Sequence, residues 1–399
     1  MPEQGAFVSE PSPRTAADVV VIGGGVIGLA VAWRAGGRGL RVLVLERDRP
    51  GAGTSRVAAG MIAPIAEARP AEEPLLELGL RSARLFGGFV GELEAATGHE
   101  VGYTACGTLL VARDEDEARS LERELALRER LGLPAQRLLP SVARRLEPAL
   151  TPALRLALEV PDDHAVDPRR LTAALAAGIR SAGGEVREGA TVTGVSIRGG
   201  RATGVTVAGG DTIAAGAVVL AAGPWTGELR LPAPIAFRPV KGQILRLHDP
   251  AGPGLLTRVV RMGSSYVVPR GDGRYVIGAT SEERGFDTTV TAGGVFELLR
   301  DASELVPGVS ELVLDECAAG LRPGTSDNLP VLGPADVPGL HWAAGHGRGG
   351  ILLAPITAEL VCAGLCDADA SSEALQGLDA TPFAPRRFAA APATVGSPA

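Results

Sequence analysis

The sequence predicts an α/β protein built around a parallel sheet, with α+β character over the whole chain. Three observations predict it. Val19-Val20-Val21-Ile22 is an unbroken apolar run, the pattern of a strand buried on both faces. Gly23-Gly24-Gly25 ends that run at once, and Val26 to Arg38 follows as a helix. Arg41 to Leu45 is then a second apolar strand, completing a strand–helix–strand unit. A length of 399 residues sets a prior of two domains.

Composition narrows the function. Lys and Arg number 39 against 46 Asp and Glu, a net charge of −7, so a nucleic-acid binder working by bulk electrostatics is excluded. Aromatic residues are 4 %, too few for a base-stacking platform. The hydrophobic share of 45 % supports a full core, and 54 glycines imply many tight turns. Cys106, Cys317, Cys362 and Cys366 are too scattered for a disulfide scaffold, and no His/Cys spacing suits a metal. Cys362 and Cys366 share a helix face and read as core packing. Met1 to Ala16 shows no secretory apolar segment, and Val19 to Trp33 is too short to span a bilayer. The expectation is a cytoplasmic protein without membrane or nucleic-acid partners. Residues 1–16 and 380–399 read as disordered tails.

The remaining elements follow in order. Leu75 to Thr97 and Asp114 to Leu131 read as helices; the acids at 114–117 suit a solvated helix start. Asp167 reads as an N-cap, with Pro168 in the first turn and Gly183-Gly184 closing a helix through Ser181. Strands are predicted at Thr191 to Arg198, Ala202 to Val207, Ala217 to Ala222, Lys241 to Leu247, Tyr266 to Pro269 and Tyr275 to Ile277. Val290 to Val306 reads as a helix, Leu340 to Ala344 as a strand, and Ile351 to Leu365 as an apolar helix with Pro355 marking a functional first turn or a kink.

Gly23, Gly25 and Gly28 form a GxGxxG between a strand and a helix, the context in which that pattern binds a dinucleotide in a Rossmann-like domain. Gly23 allows the tight turn, Gly25 the approach of a pyrophosphate, and Gly28 the close packing of helix on strand. Glu46 ends the next strand eighteen residues later, where an acid meets ribose hydroxyls. Its alternative is a solvated residue at a strand end. The fingerprint does not separate FAD from NAD. The late apolar strand Val218 to Ala222, ending at Gly223, and the absence of a second fingerprint favour a flavin reduced directly by its substrate. Gly345-His346-Gly347-Arg348-Gly349-Gly350 joins a strand to a helix whose free N–H groups suit the negative charge of a reduced flavin.

Gly25 to Glu46, Tyr266-Val267-Val268-Pro269-Arg270, Gly278-Ala279-Thr280, Ala319 to Thr325 (AGLRPGT) and Ala343 to Pro355 (ending GILLAP) together resemble the bacterial glycine oxidase branch of the D-amino-acid oxidase family. The resemblance runs from Asp18 to Leu365. It implies noncovalent FAD and a FAD-binding domain of separated segments, 18–84, 160–235 and 324–378. It also implies a mixed-sheet substrate-binding domain, 85–159 and 236–323. The implied activity is oxidative deamination of glycine or another small amino acid, with molecular oxygen as acceptor. The implied pathway is thiamine thiazole synthesis, and the implied assembly a homotetramer.

The same resemblance implies that Arg322 grips the substrate carboxylate, that Tyr266 assists, and that Arg348 lies by the substrate entrance. Gly60 and Met61 border the flavin, and Val192 meets the adenine. Val26, Ile27, Arg47, Ser55, Gly223, His346, Gly347, Gly349, Gly350, Ile351 and Leu352 complete the cofactor set. Two positions depart from the family: Ser281 replaces a Met and Ser264 a His, leaving the preferred amine open. The place of covalent flavin attachment in sarcosine-oxidase relatives falls near Gly320, with Cys317 three residues away. Oxidases or dehydrogenases of sarcosine, proline or D-amino acids are the alternatives; a tRNA-modifying flavoprotein fits less well with the net charge of −7.

Overall fold

The computed structural model describes residues 17–366 and 373–388. The first apolar run forms the strand Ala17–Ile22, buried along most of its length in the middle of an eight-stranded sheet. Across that sheet lie Val331–Pro334, Leu340–Ala344, Thr212–Leu220, Ala17–Ile22, Val42–Leu45 and Glu185–Arg187. The pairs are parallel except the first, which is antiparallel. A hairpin of Val192–Arg198 and Arg201–Val207 pairs with the start of Thr212–Leu220.

Apolar strands buried on both faces need cover on both. One face packs under the helices Val26–Gly37, Glu73–Thr97, Pro168–Ser181 and Ala354–Leu365, through Leu29, Phe86, Phe89, Leu171 and Val361. On the other, Leu43, Val218 and Trp342 pack in one cluster with Val205 of the hairpin and Ile235. Asp167 caps its helix as expected, accepting the N–H groups of Arg169 at 2.9 Å and Arg170 at 3.4 Å. Asp114 likewise caps Glu115–Arg130, accepting from Glu117 N–H at 2.8 Å. Cys362 lies buried in the first core, as its helical spacing suggested.

The second sheet also has eight strands. Their order is Val313–Gly324, Arg238–His248, Arg274–Gly278, Ser265–Pro269, Val259–Met262, Thr108–Ala112, Leu156–Val160 and Gln136–Leu138. It is mixed: Val259–Met262 runs parallel to Thr108–Ala112 and the other neighbours are antiparallel. One face packs on the helix Ala292–Leu305, capped by Thr291. The other turns toward the carboxyl ends of the first sheet's parallel strands.

Four readings are corrected. The helix expected from Ile351 begins at Ala354; a 3₁₀ turn at Gly347–Gly349 and a further turn precede it. Pro355 fits because the first helical turn needs no N–H from it. The domain boundary expected at 84/85 falls inside Glu73–Thr97, whose Phe86, Phe89, Val90 and Leu93 belong to the first core. The tail expected from residue 380 is folded through 388: Thr381–Phe383 and Pro385–Phe388 are 3₁₀ turns, and Phe383 packs with Leu78 and Leu332. The expectation of disorder at 1–16 and 389–399 lies outside the described residues. Finally, the strands Thr108–Ala112, Leu156–Val160 and Val313–Gly324 were not predicted at all.

Candidate active site

Between the two sheets lies a cleft of about 820 Å³, a size suited to a large ligand. It opens where Ile22 and Leu45 end parallel strands and Ala221 follows a third, the place at which open α/β sheets bind ligands. Gly23, Gly25, Val26, Ile27, Glu46, Arg47, Ser55, Gly60, Met61, Val192, Gly223, Tyr266, Arg322, His346, Gly347, Arg348, Gly349, Gly350, Ile351 and Leu352 all line it. Gly28 does not. A Cβ on Gly28 would stand 2.0 Å from Gly23 O and 3.2 Å from Ala221 Cβ, so its part is the packing of helix on strand.

The glycine turn is built from several constraints. Gly23 has φ +108°, and a Cβ there would meet Ala221 O at 2.5 Å. Gly24 N–H donates to Glu46 Oε2 at 2.6 Å, and Asp48 N–H donates to Oε1 at 2.9 Å. Glu46 therefore braces both turns while its carboxylate faces the cleft. Ser55 Oγ accepts the N–H of Val26 at 3.0 Å. The Arg47 guanidinium stacks 4.5 Å above Trp225, whose ring stacks on Phe286 from the second sheet's half.

The Gly-rich turn forms the opposite wall. Among the described residues the N–H groups of Gly350, Ile351 and Leu352 have no partner within the protein, and all three residues line the cleft. Three free donors beside a helix start form a cradle for an electron-rich acceptor. His346 is buried and its Nε2 lies 3.0 Å from Thr357 Oγ1. Burial pushes its pKa down to about 3, so the ring is neutral at working pH. Backbone at Gly60 is fixed by φ +81° and by Arg270, whose guanidinium donates to Ala59 O at 2.6 Å and Val166 O at 2.7 Å. Burial pulls the Arg270 guanidinium down to about 10.

The second sheet supplies the polar end. Arg322 extends over Gly242, where a Cβ would meet its guanidinium nitrogen at 2.4 Å. Its NH1 donates to Thr280 O at 3.1 Å and to Lys241 O at 3.4 Å, and among the described residues it has no carboxylate partner. The Tyr266 hydroxyl similarly stands over Gly278. Burial raises its phenol above the ordinary value, which keeps it protonated and a donor. Arg348, expected at the entrance, pairs with Glu67 at 3.2 Å and with Glu72. Its charge is already balanced, so the structure places it as a strap on the segment 67–72.

Several residues here had no sequence signal. Asp163 is fully buried and accepts from the N–H of Ile65 at 3.2 Å and of Ala66 at 2.6 Å. Burial raises its carboxyl to about 7. Arg128, also fully buried, donates to Ile65 O at 3.1 Å and Ala66 O at 2.7 Å. Arg261 adds a bond to Ala66 O at 3.0 Å. The dipeptide Ile65-Ala66, just before the cleft-lining Glu67, is thus held by three ionisable side chains. Arg128 lies among Arg123, Glu124, Glu129 and Arg130, so nothing in the local sequence sets it apart as buried.

Known proteins give the comparison. The model of the FAD dependent oxidoreductase family, DAO, matches residues 18–363. Glycine oxidase of Geobacillus kaustophilus is 38 % identical over 348 residues, covering 86 % of this chain and 91 % of that protein. A bifunctional protein ThiO/ThiG of Synechocystis is 39 % identical over 353 residues, covering 87 % of this chain; the chain spans about half, 51 %, of that relative. The crystal structure of the Geobacillus kaustophilus glycine oxidase superposes with a TM-score of 0.85 at 36 % identity, covering 92 % of this chain and 98 % of that one. Among the described residues no helix is long and apolar enough to cross a membrane.

Proposed function

The chain belongs to the DAO family of FAD-dependent oxidoreductases, and from that premise we propose that it oxidises glycine or another small amino acid to the imine. The reaction then reads: amino acid, oxygen and water give the oxo acid, ammonia and hydrogen peroxide. The observation that carries this reading is Arg322: a guanidinium without a carboxylate partner among the described residues, lining the cleft together with Tyr266. Glycine oxidase likeness over nine-tenths of that relative's length supports it.

The residues present fit FAD. The glycine turn at 23–28 leaves no room for a Cβ at Gly23, the amides of 350–352 are free, and the cleft runs from Glu46 to Arg322. Gly23, Gly25, Val26, Ile27 and Ser55 would hold the pyrophosphate, Glu46 and Arg47 the ribose, and Val192 and Gly223 the adenine side. Gly60, Met61, His346, Gly347, Gly349, Gly350, Ile351 and Leu352 would border the ring. No cysteine lines the cleft; Gly320 does, and Cys317 is exposed outside it. That supports noncovalent binding. On the same reading the first sheet with its helices is the FAD half and the second sheet the substrate half.

Bound FAD supplies the two-electron oxidant. Arg322 binds the substrate carboxylate bidentately, a match that a guanidinium makes and keeps at any working pH. Tyr266 donates a second hydrogen bond to the same carboxylate. Together they fix the amine's α-carbon, so orientation carries much of the rate. Among the groups that face this end, a neutral amine meets no required base, and the buried Tyr266 keeps its proton.

The fusion relatives support use of the imine in thiamine thiazole synthesis. We place the protein in the cytoplasm as a homotetramer on the same family grounds. The test is a peroxide assay of the purified yellow protein with glycine, sarcosine, proline and D-alanine. Peroxide from glycine or another small amino acid such as D-alanine supports the reading; peroxide from none of the four contradicts it.

A further inference from the structure

At the Glu46 end of the cleft, side chains meet across the glycine turn. Arg47 follows the strand Val42–Leu45, and Trp225 follows Thr212–Leu220. Those strands flank Ala17–Ile22 on its two sides, so two strand spacings, about 10 Å, separate them, with the Gly23 turn between. The Arg47 guanidinium nevertheless lies 4.5 Å from the centre of the Trp225 ring. Both residues line the cleft, so the pair spans the turn on which a dinucleotide rests. The span is held from each end. Asp48 Oδ2 accepts from Arg47 Nε at 3.1 Å. The Trp225 ring packs on Gly53, where a Cβ would stand 3.5 Å from it.

Phe286 reaches the same ring from the other half, with 6.2 Å between ring centres and planes 28° apart. It remains 44 % exposed, and neither aromatic ring belongs to a hydrophobic core of the described residues. Its loop is anchored on both sides of the phenylalanine. Lys241 and Glu282 exchange backbone hydrogen bonds at 2.9 Å each way, and the buried Lys241 Nζ donates to Asp287 Oδ2 at 3.1 Å. An exposed aromatic side chain on an anchored loop, set against one ring of the other half, serves that ring and not the core. Elsewhere the halves are stitched more firmly. Thr54 Oγ1 donates to Leu321 O at 2.7 Å, and a Cβ on Gly320 would meet Val57 Cβ at 2.9 Å. The Trp225–Phe286 contact is side chain on side chain, and it parts without breaking a hydrogen bond.

We infer that Arg47, Trp225 and Phe286 form a clasp over the nucleotide end of FAD, which opens to admit the cofactor and recloses to retain it. Trp225 closes the cleft; Phe286 is a positioning residue that acts through Trp225. The inference rests on the family's cofactor and on the glycine turn that receives it, and not on which amine is oxidised.

Two rates test it, and neither needs an amine. Release is followed as radiolabelled FAD leaving the loaded protein into excess unlabelled FAD. Association is followed by the change in flavin fluorescence when FAD is mixed with apoprotein. Phe286→Ala should speed release roughly three- to tenfold, the loss of one aromatic pair, and should speed association by a similar factor. The dissociation constant then stays nearly constant, because a gate acts in both directions. Phe286→Tyr keeps the stack and should keep both parent rates. Trp225→Leu should speed release at least as much as Phe286→Ala. Phe286 lies outside the cores, so its alanine variant keeps the fold. Unchanged release in Phe286→Ala, or faster release with unaltered association, overturns the clasp while leaving the oxidase reading standing. Clasp kinetics as expected with none of the four amines oxidised keep the clasp and contradict the oxidase reading.

Discussion

Arg322 stands over Gly242 because only a glycine leaves space there, and its free face looks into the cleft. Arg322→Met should strand a substrate carboxylate in a partly desolvated site, a loss of about 2–5 kcal/mol. At 1.4 kcal/mol per tenfold, kcat/KM falls roughly 30- to 4,000-fold, with FAD content and melting temperature nearly unchanged. Steady-state kinetics with glycine check it. Glu46 has two tasks, since its carboxylate accepts the Gly24 and Asp48 N–H groups while facing the cleft. Glu46→Gln should weaken FAD binding by about 1–3 kcal/mol, read by fluorescence titration of apoprotein. That Arg322, Tyr266 and Glu46 line one cleft was legible in the sequence because each sits in a short motif. Arg128, Asp163 and Arg261 were not: their meaning depends on partners 62 to 195 residues away, as Arg128 and Arg261 converging on Ala66 show.

The strand–turn–helix element at 17–37 was read from the sequence almost to its ends, since a buried parallel strand and a Gly-rich turn both leave strong local signals. The second sheet was read in part. Its Thr108–Ala112 and Leu156–Val160 are short, and their burial arises only when they pair with each other. The start of the last helix was misplaced by three residues because the apolar run continues through the preceding turn. At Gly23 the turn tolerates no side chain: Gly23→Ala combines φ +108° with a Cβ 2.5 Å from Ala221 O. The expected outcome is colourless protein with a lowered melting temperature. Beneath the segment 65–66, buried Asp163 binds its proton near pH 7 when folded against 3.8 when unfolded. Its contribution to stability is therefore complete below about pH 4 and lost as pH rises through 7. Denaturant titrations across that window should show the slope, and Asp163→Asn should flatten it.

At the scale of the molecule, the two sheets meet at one cleft, and Trp225 on the first half stacks on Phe286 of the second across its rim. A cofactor filling that cleft touches both halves, so FAD binding should raise the melting temperature of the whole chain in one transition and in proportion to the logarithm of FAD concentration. Separate transitions for the two halves would contradict that coupling. Acid precipitation should release the flavin into solution, since no cysteine lines the cleft. The central claim is that a carboxylate held on Arg322 delivers an amine to FAD, and anaerobic mixing tests it most directly. Glycine added without oxygen to the FAD-loaded protein should bleach the flavin absorbance; glycinamide, which lacks the carboxylate, should bleach it far more slowly. In Arg322→Met the two rates should become similar. Equal bleaching by both amines in the parent protein, or rapid bleaching by glycine in the variant, would contradict the account.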